Sequence, residues 1–321
     1  MGTARGYKSS CVLDFETTFG ADPAAPAGLI MPINSSSLKA ERTKNAASTI
    51  TGNRNPVQPF DGNLKVEGSV VVPVDLIAFG HWLRAMFGAP TTSGEGPYVH
   101  TFKVADSQPS LVLENKFADA AAVIAYAKYN GCKVNSWAMS VGGDGELTSE
   151  LAIVGSTETV GATAYDSDAS AVTLSRLQNF QAALTEGGSS LAIATAMDFT
   201  VGFGLDTEKY VIGGAGVLGD IPEGIMSVSG NLTALFQSTT LLNKAINSTE
   251  SSLVVTFTSG TYSLAITFPE IQYGRSTPEI SGPSGILITL PWQGYYDNNA
   301  DSTSVKVVLT NSQAGSVYGG T

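Results

Sequence analysis

The chain has 321 residues, a formal net charge of −11 and only 14% charged residues, against roughly 25% in an average soluble domain. Its acidity comes from few Lys and Arg (17) rather than from dense carboxylates (28), which excludes a nucleic-acid binder that grips phosphates through clustered cations. The length predicts two domains, and the 43% hydrophobic fraction is enough for a packed core.

In chain order, the N-terminal MGTARGYKSSC has no apolar stretch and does not read as a signal peptide. Gly6 stands where a myristoylation site wants Ser or Thr. Cys11 and Cys132 are too far apart for a CxxC motif. They either pair with each other or, as expected of a protein made in a reducing cytoplasm, stay reduced and buried. The segment Asn34 to Phe60 is polar and reads as a long loop, in which Lys39, Arg42, Lys44 and Arg54 outnumber Glu41. Leu64 to Val72 is β-branched and alternates polar with apolar at its start, a strand. Asp75 to Phe87 reads as an amphipathic helix with Leu76, Phe79, Leu83 and Met86 on one stripe, Asp75 as N-cap and Gly88 just past its end.

Val99 to Val104 and Ser110 to Glu114 are further strands, and Ala-rich Asp119 to Lys128 is a weak helix candidate. The longest unbroken apolar run, Ala120 to Ala127, is eight residues, where a membrane-spanning helix needs about 20. Val134 to Val141 and Leu147 to Val154 follow as strands, and polar Thr157 to Ser170 reads as a link. Beyond it, strands are predicted over Ser189 to Val201, Met226 to Leu232, Leu253 to Phe257, Tyr262 to Phe268, Ile286 to Leu290 and Val305 to Thr310. Ser238 to Asn247 is a second helix, capped by Ser238, with Leu241, Leu242, Ala245 and Ile246 inward.

Both helices follow a strand with Val-x-Gly, Val66-Glu67-Gly68 and Val228-Ser229-Gly230. Thr101-Phe102 then Ser110 to Leu113 resembles Thr256-Phe257 then Ser263 to Ile266, and each half ends in a Gly-bounded strand, Gly145 to Gly155 and Gly285 to Gly294. The pattern reads as an internal duplication: residues 1–158, a linker 159–170, and residues 171–321. Residues 1–160 carry 12 basic and 15 acidic side chains (−3), and residues 161–321 carry 5 and 13 (−8). The counterpart of the basic insert, Leu205 to Glu223, is acidic, with Asp206, Glu208, Asp220 and Glu223 against Lys209.

Signals of chemistry are thin. His81 and His100 have no G-x-S-x-G elbow to serve and read as surface or satisfied polar groups. No H-E-x-x-H is present, and no zinc set can be assembled without carboxylates. Gly214 to Gly219 matches G-x-G-x-x-G, but Asp220-Ile221-Pro222 follows where a nucleotide site needs a helix. Asp297-x-Asn299-x-Asp301 lacks the Gly and Glu of a calcium loop. Paired carboxylates of a β-sandwich enzyme are not readable from spacing, and the three Trp are scattered. Neither enzyme activity nor a cofactor is expected.

Several stretches, in order, carry a family resemblance: Glu16-Thr17-Thr18-Phe19-Gly20; Gly52 to Pro56 ahead of Val66 to Val70 and the first helix; Tyr129 to Ser136; Glu223-Gly224 leading to Val228-Ser229-Gly230; and Val305 to Asn311. The chain resembles the major tail tube proteins of long-tailed bacteriophages and gene transfer agents. The resemblance implies a mainly β fold, two tandem β-sandwich domains each with a flanking α-helix, and strands contributed to an inter-subunit β-barrel. It implies a structural virion protein whose stacked rings let DNA pass without specific binding. It further implies assembly in the host cytoplasm beside tape measure, terminator and distal tail proteins, with no membrane contact. With two tube domains per chain, a trimer of pseudo-sixfold symmetry is expected over a hexamer. The basic insert resembles the family's inter-ring loop, so Lys39, Arg42, Lys44 and Arg54 are expected to meet acidic groups such as Asp206, Glu208, Asp220 and Glu223 of a neighbour. The alternatives are another ring-forming tail component of the same fold, such as a terminator or distal tail protein, and a cell-surface or pilus-type β-repeat protein.

Overall fold

The computed structural model describes residues 3–118, 124–280 and 282–320. The first part runs β1 (Ser10–Phe15), β2 (Leu29–Met31), β3 (Ser35–Ser36), β4 (Lys39–Asn45), β5 (Phe60–Pro73), α1 (Ala78–Phe87), β6 (Thr91–Ser93), β7 (Tyr98–Lys103), β8 (Leu111–Ala118), β9 (Ile124–Val141), β10 (Thr148–Gly155) and β11 (Thr157–Gly161). After β12 (Ser170–Ala171) come β13 (Ala182–Glu186), β14 (Ser189–Ser190), β15 (Ala194–Gly202), β16 (Ser227–Leu235), α2 (Thr240–Ile246), β17 (Ser251–Ser259), β18 (Tyr262–Tyr273), β19 (Leu287–Gly294) and β20 (Lys306–Asn311).

The main sheet runs β4–β5–β10–β9–β15–β16–β19–β18, antiparallel throughout. The order β4–β5–β10–β9 is followed by β15–β16–β19–β18, the same pattern of turns and crossings twice. β9 joins β15 edge to edge, from Ser136 opposite Gly202 to Val141 opposite Met197. The halves also meet where β7 pairs β20, with Phe102 opposite Val307. Among the described residues the sheet does not close within one chain: β4 has a strand partner on one edge only.

β9 belongs to two sheets. Its first half pairs β8 and β11, its second half β10 and β15. The change falls at Gly131, whose φ of +63° is left-handed, a conformation that costs glycine little. A Cβ there would also lie 2.9 Å from the Phe19 ring and from Ser156 Cβ.

Alternation dictates the core. Val66, Val70 and Val72 of β5, Leu151 and Ile153 of β10, Phe199 and Val201 of β15, and Leu290 and Trp292 of β19 are buried. Aromatic rings link the halves beneath the β9–β15 junction: Phe87 to Trp137, Trp137 to Phe199 at 4.9 Å, Phe199 to Phe268 at 5.1 Å, and Phe268 to Trp292 at 4.8 Å. Such pairs add about 0.5–1.5 kcal/mol each beyond burial.

Helix α1 starts at Ala78 with Ile77 in the N-cap position, later than the Asp75 start read from the sequence, but Asp75 still takes its first N–H groups. The Asp75 carboxylate accepts the N–H groups of Ile77, Ala78, Phe79 and, across the fold, Ser175. Its burial pushes the Asp75 carboxyl up, and these four donors oppose the rise. Gly88 ends the helix with φ +82°. The helix is buried nearly all round rather than along one stripe. Beside it, Tyr318 donates to the Ile77 carbonyl at 2.9 Å, and Arg84 stacks over Phe15 at 3.7 Å.

Several expectations are corrected. Much of the stretch read as a long loop, 34–60, is strand: β3, β4 and the first residue of β5 form an arm with an exposed 46–59 tip. Residues 124–128 of the Ala-rich candidate are strand, because pairing with β8 and β11 overrides alanine's helix propensity; Asp119 to Val123 lie outside the described residues. The stretch read as one strand from Ser189 is divided into β14 and β15, which starts at Ala194, and β11 runs to Gly161, into the segment expected as a linker. Ile246 is exposed, since α2 spans seven residues and buries only Leu241 and Ala245. The hairpins correspond one strand later than their Thr-Phe dipeptides indicate: by sheet position β8 matches β17, and β7 pairs with β20 instead. Neither histidine is at the surface. His100 bonds Thr92 and Asn311, while His81 Nδ1 is buried without a partner. Cys11 and Cys132 are free and buried, and burial raises both thiols, Cys11 to about 12.

Candidate assembly surface

The main sheet has one buried face and one open face. Residues alternate along each strand, so burial of Val66, Leu151, Trp137, Phe199, Leu232 and Leu290 sends their neighbours outward. The open face carries Ser69 of β5, Ala152 of β10, Ser136, Ala138 and Ser140 of β9, Thr200 of β15, Ser229 and Asn231 of β16, and Thr289 and Gln293 of β19. Its charged members are Lys39, Glu41, Lys65, Glu67, Glu150 and Asp198. Lys39 lies opposite Glu67 and Glu41 opposite Lys65, and Asn231 Nδ2 donates to Asp198 Oδ1 at 3.0 Å. Two cations against four carboxylates leave −2. The face is hydroxyl, amide and small apolar groups, with no cluster of cations.

The basic and acidic segments expected to meet between neighbours lie side by side in one protomer. Arg42 Nη2 donates to the Ala215 carbonyl at 3.0 Å, and the Leu64 N–H donates to the Gly216 carbonyl at 2.7 Å. Bridges at Leu205–Glu223 and Tyr210–Leu218 fold the 205–223 segment back on itself. Lys39 pairs with Glu41, whose hydrogen bond holds the lysine above its usual range. Lys44 pairs with Asp61. Arg54 is exposed in the arm's tip. Asp206 pairs with Lys209 at 2.7 Å, which holds its carboxyl down. Glu208 is exposed, and Asp220 Oδ1 accepts the Ile221 N–H at 2.8 Å.

Glu223 is committed inside the fold. Its Oε1 takes the Lys133 ammonium at 2.7 Å and the Gln108 N–H at 2.8 Å. Lys133, itself only 8% exposed, also donates to the Ile221 carbonyl at 2.9 Å. Burial would raise the Glu223 carboxyl, but Lys133 and the Gln108 N–H outweigh it and hold it below the usual range. Among the described residues no three His, Cys, Asp or Glu side chains group to hold a metal, and no helix is long and apolar enough to cross a membrane.

A family model described as phage tail tube protein matches residues 6–294. The chain belongs to the phage tail tube protein family. It is a structural component of a virion tail, of a family that self-assembles and associates with other tail proteins, and not a member of an enzyme family. A comparison with curated proteins found no match. The charged insert stands out in this tail tube chain's sequence, whereas the open sheet face does not. The signal was present in the alternation of Ser69, Ser136, Thr200, Ser229 and Thr289 with buried neighbours.

Proposed function

We propose that three copies of the chain close into a ring around a channel, with the open sheet face as its wall. Stacked rings then form the conduit through which DNA leaves the capsid, between terminator, tape measure and distal tail proteins, after assembly in the host cytoplasm. The observation that carries this is the twofold β4–β5–β10–β9 and β15–β16–β19–β18 order in one sheet with one polar face. Duplicated tube domains supply six quasi-equivalent positions from three chains, and closure would remove both open ends of the sheet. A wall of hydroxyls and amides with a slight negative charge offers phosphates no counterion-releasing grip. The basic arm, with Arg42, Lys44 and Arg54, is the reading's contact toward the next ring. Negative-stain microscopy with mass measurement tests it. Rings with a central hole at three times 33.2 kDa, about 100 kDa, are expected. Monomers that persist under assembly conditions would sink the reading.

A further inference from the structure

We infer that the free edge of β4 and residues 274–278 form one intermolecular strand junction with a second copy of this chain, Arg275 lying opposite Glu41. The inference rests on the ring reading above. Its template is the β9–β15 junction inside the protomer.

The two four-strand units share the same pairing register. Ile153 lies opposite Gly68 and Val134, as Trp292 lies opposite Gly230 and Tyr273. Leu113 lies opposite Tyr129, as Leu253 lies opposite Phe268, each beside a bulge. Val134 to Tyr273 and Tyr129 to Phe268 are the same step: 273 − 134 = 268 − 129 = 139 residues. On the other edge, Ala40 opposite Val66 matches Val201 opposite Val228, a step of 201 − 40 = 161. Carried through these steps, the internal pairs become intermolecular ones. Ser136 with Gly202 maps to Arg275 with Glu41, Trp137 with Val201 to Ser276 with Ala40, and Ala138 with Thr200 to Thr277 with Lys39.

Three independent features agree with this register. First, the segment is free to pair: the Gly274 N–H donates to the Pro291 carbonyl at 2.7 Å, its last bond to β19, and among the described residues, 275–280 pair with no strand, although their template counterparts also pair with β10. Second, opposite charges face each other. Among the described residues Arg275 has no ion-pair partner, and Glu41 pairs only with exposed Lys39. Third, the ladder ends at the same point on both strands. The Phe203 N–H bond to the Asn135 carbonyl, 2.9 Å, sets the alternation in the template, so residues 137 and 139 also face β15. The position matching Met139 is Pro278, which has no N–H to give. Opposite it, the Leu38 carbonyl already accepts Tyr129 Oη at 3.1 Å.

The internal junction is sealed by Trp137 against Phe199. The intermolecular one would have Ser276 and Leu38 there. It therefore rests on backbone pairing and the Arg275–Glu41 contact, and is the weaker of the two.

The test is disulfide trapping in full-length protein under assembly conditions, with microscopy of the same samples. Lys39→Cys with Thr277→Cys occupies a non-bonded pair, where side chains approach closely. Oxidised rings are expected to give a ladder that ends at covalent trimers on a denaturing gel. Ala138→Cys with Thr200→Cys is the intramolecular control, and Cys11 and Cys132 are buried. Lys39→Cys with Arg275→Cys, two residues out of register, should crosslink far less. Glu41→Arg should reduce ring formation at least tenfold, and adding Arg275→Glu should restore it. Rings in which 39/277 stays uncrosslinked, or in which 39/275 is trapped instead, overturn the register while the ring reading stands. Wild-type protein that forms no rings overturns both. A ladder ending at six supports the junction and corrects the number of copies.

Discussion

Removing Lys133 or Glu223 separates an internal role from an interfacial one. The pair is nearly enclosed, with side chains 8% and 21% exposed. Breaking a buried pair on one side costs about 3–5 kcal/mol, because a charge is left without its partner. Glu223→Gln keeps an acceptor oxygen but removes the countercharge, leaving the buried Lys133 ammonium with neutral acceptors only, so about 3 kcal/mol is expected, at the lower end because an acceptor remains and Glu223 is partly wet. Lys133→Met leaves Glu223 with the Gln108 N–H and some solvent, and about 2 kcal/mol is expected. Lys133→Met with Glu223→Leu removes both charges and should return to within about 1 kcal/mol of the parent. The readout is the urea midpoint of the unassembled protomer at constant slope. Acid adds a sign. A carboxyl held below its unfolded pKa stabilises above that pKa, and the contribution is lost as pH falls through the folded value. Glu223→Gln should therefore flatten the acid limb below about pH 4.5, near the ordinary glutamate value. Single variants with parental midpoints that fail only in assembly would refute the internal role and return Glu223 to the neighbour contact expected of it.

Gly80→Ala would place a methyl 2.5 Å from the Tyr318 ring, a close approach that cannot be relieved without lifting the C-terminal segment off α1; a loss of at least 2 kcal/mol in urea midpoint is expected. His81 is held down to about 4, first by burial and then by Arg84, so stability is full above about pH 6.5 and falls as pH drops toward 4; His81→Phe should remove about 2–3 kcal/mol of the difference between pH 7 and pH 4.5. On the proposed wall, Glu150→Lys with Asp198→Lys changes the face from −2 to +2; rings should still form but retain duplex DNA in a salt-sensitive way, which filter binding at 50 and 200 mM salt would read. Retention that is the same at both salt concentrations would count against that face lining the channel.

Much of the fold is legible in the sequence because local signals and packing agree. Leu64 and Val66 alternate with Lys65 and Glu67 ahead of the β-branched run Val70 to Val72, and β5 is a half-buried strand. Gly88 ends α1 as cap chemistry dictates, and Asp75, though Ile77 holds the N-cap position, accepts the first N–H groups. The gaps have physical causes. β4 reads Lys-Ala-Glu-Arg-Thr-Lys-Asn, polar on both faces, and is a strand only because β5 pairs with it. The repeated strand order has a counterpart in the spacing of the glycines, but Thr101-Phe102 and Thr256-Phe257 point to another hairpin correspondence, since β7 completes the sheet beside β20 rather than repeating β17. The Lys133–Glu223 contact joins residues 90 apart, so charge pattern alone placed Glu223 at the surface. The open face lay in the alternation, but it emerges only once strand order sets those residues side by side.

The origin of the acidity also changes meaning. Many carboxylates accept backbone N–H groups at turns and strand ends: Asp14 from Ala27, Glu16 from Gly20 and Gly131, Asp75 at α1, Glu114 from Tyr165, Asp166 from Gly28, and Glu270 from Asp297 and Asn298. A fold of many short strands leaves many loop N–H groups to satisfy. A carboxylate suits them because it accepts only and offers two oxygens. This accounts for an acidic excess with no reference to DNA, and the open sheet face carries only −2 of the chain's −11. Repulsion is therefore a small part of what the proposed wall does. Its main property is that Ser, Thr, Asn, Gln and Ala occupy positions where Lys or Arg would hold a phosphate. Of the two halves of the composition, the missing cations bear on passage of DNA, and the carboxylates chiefly on holding the loops.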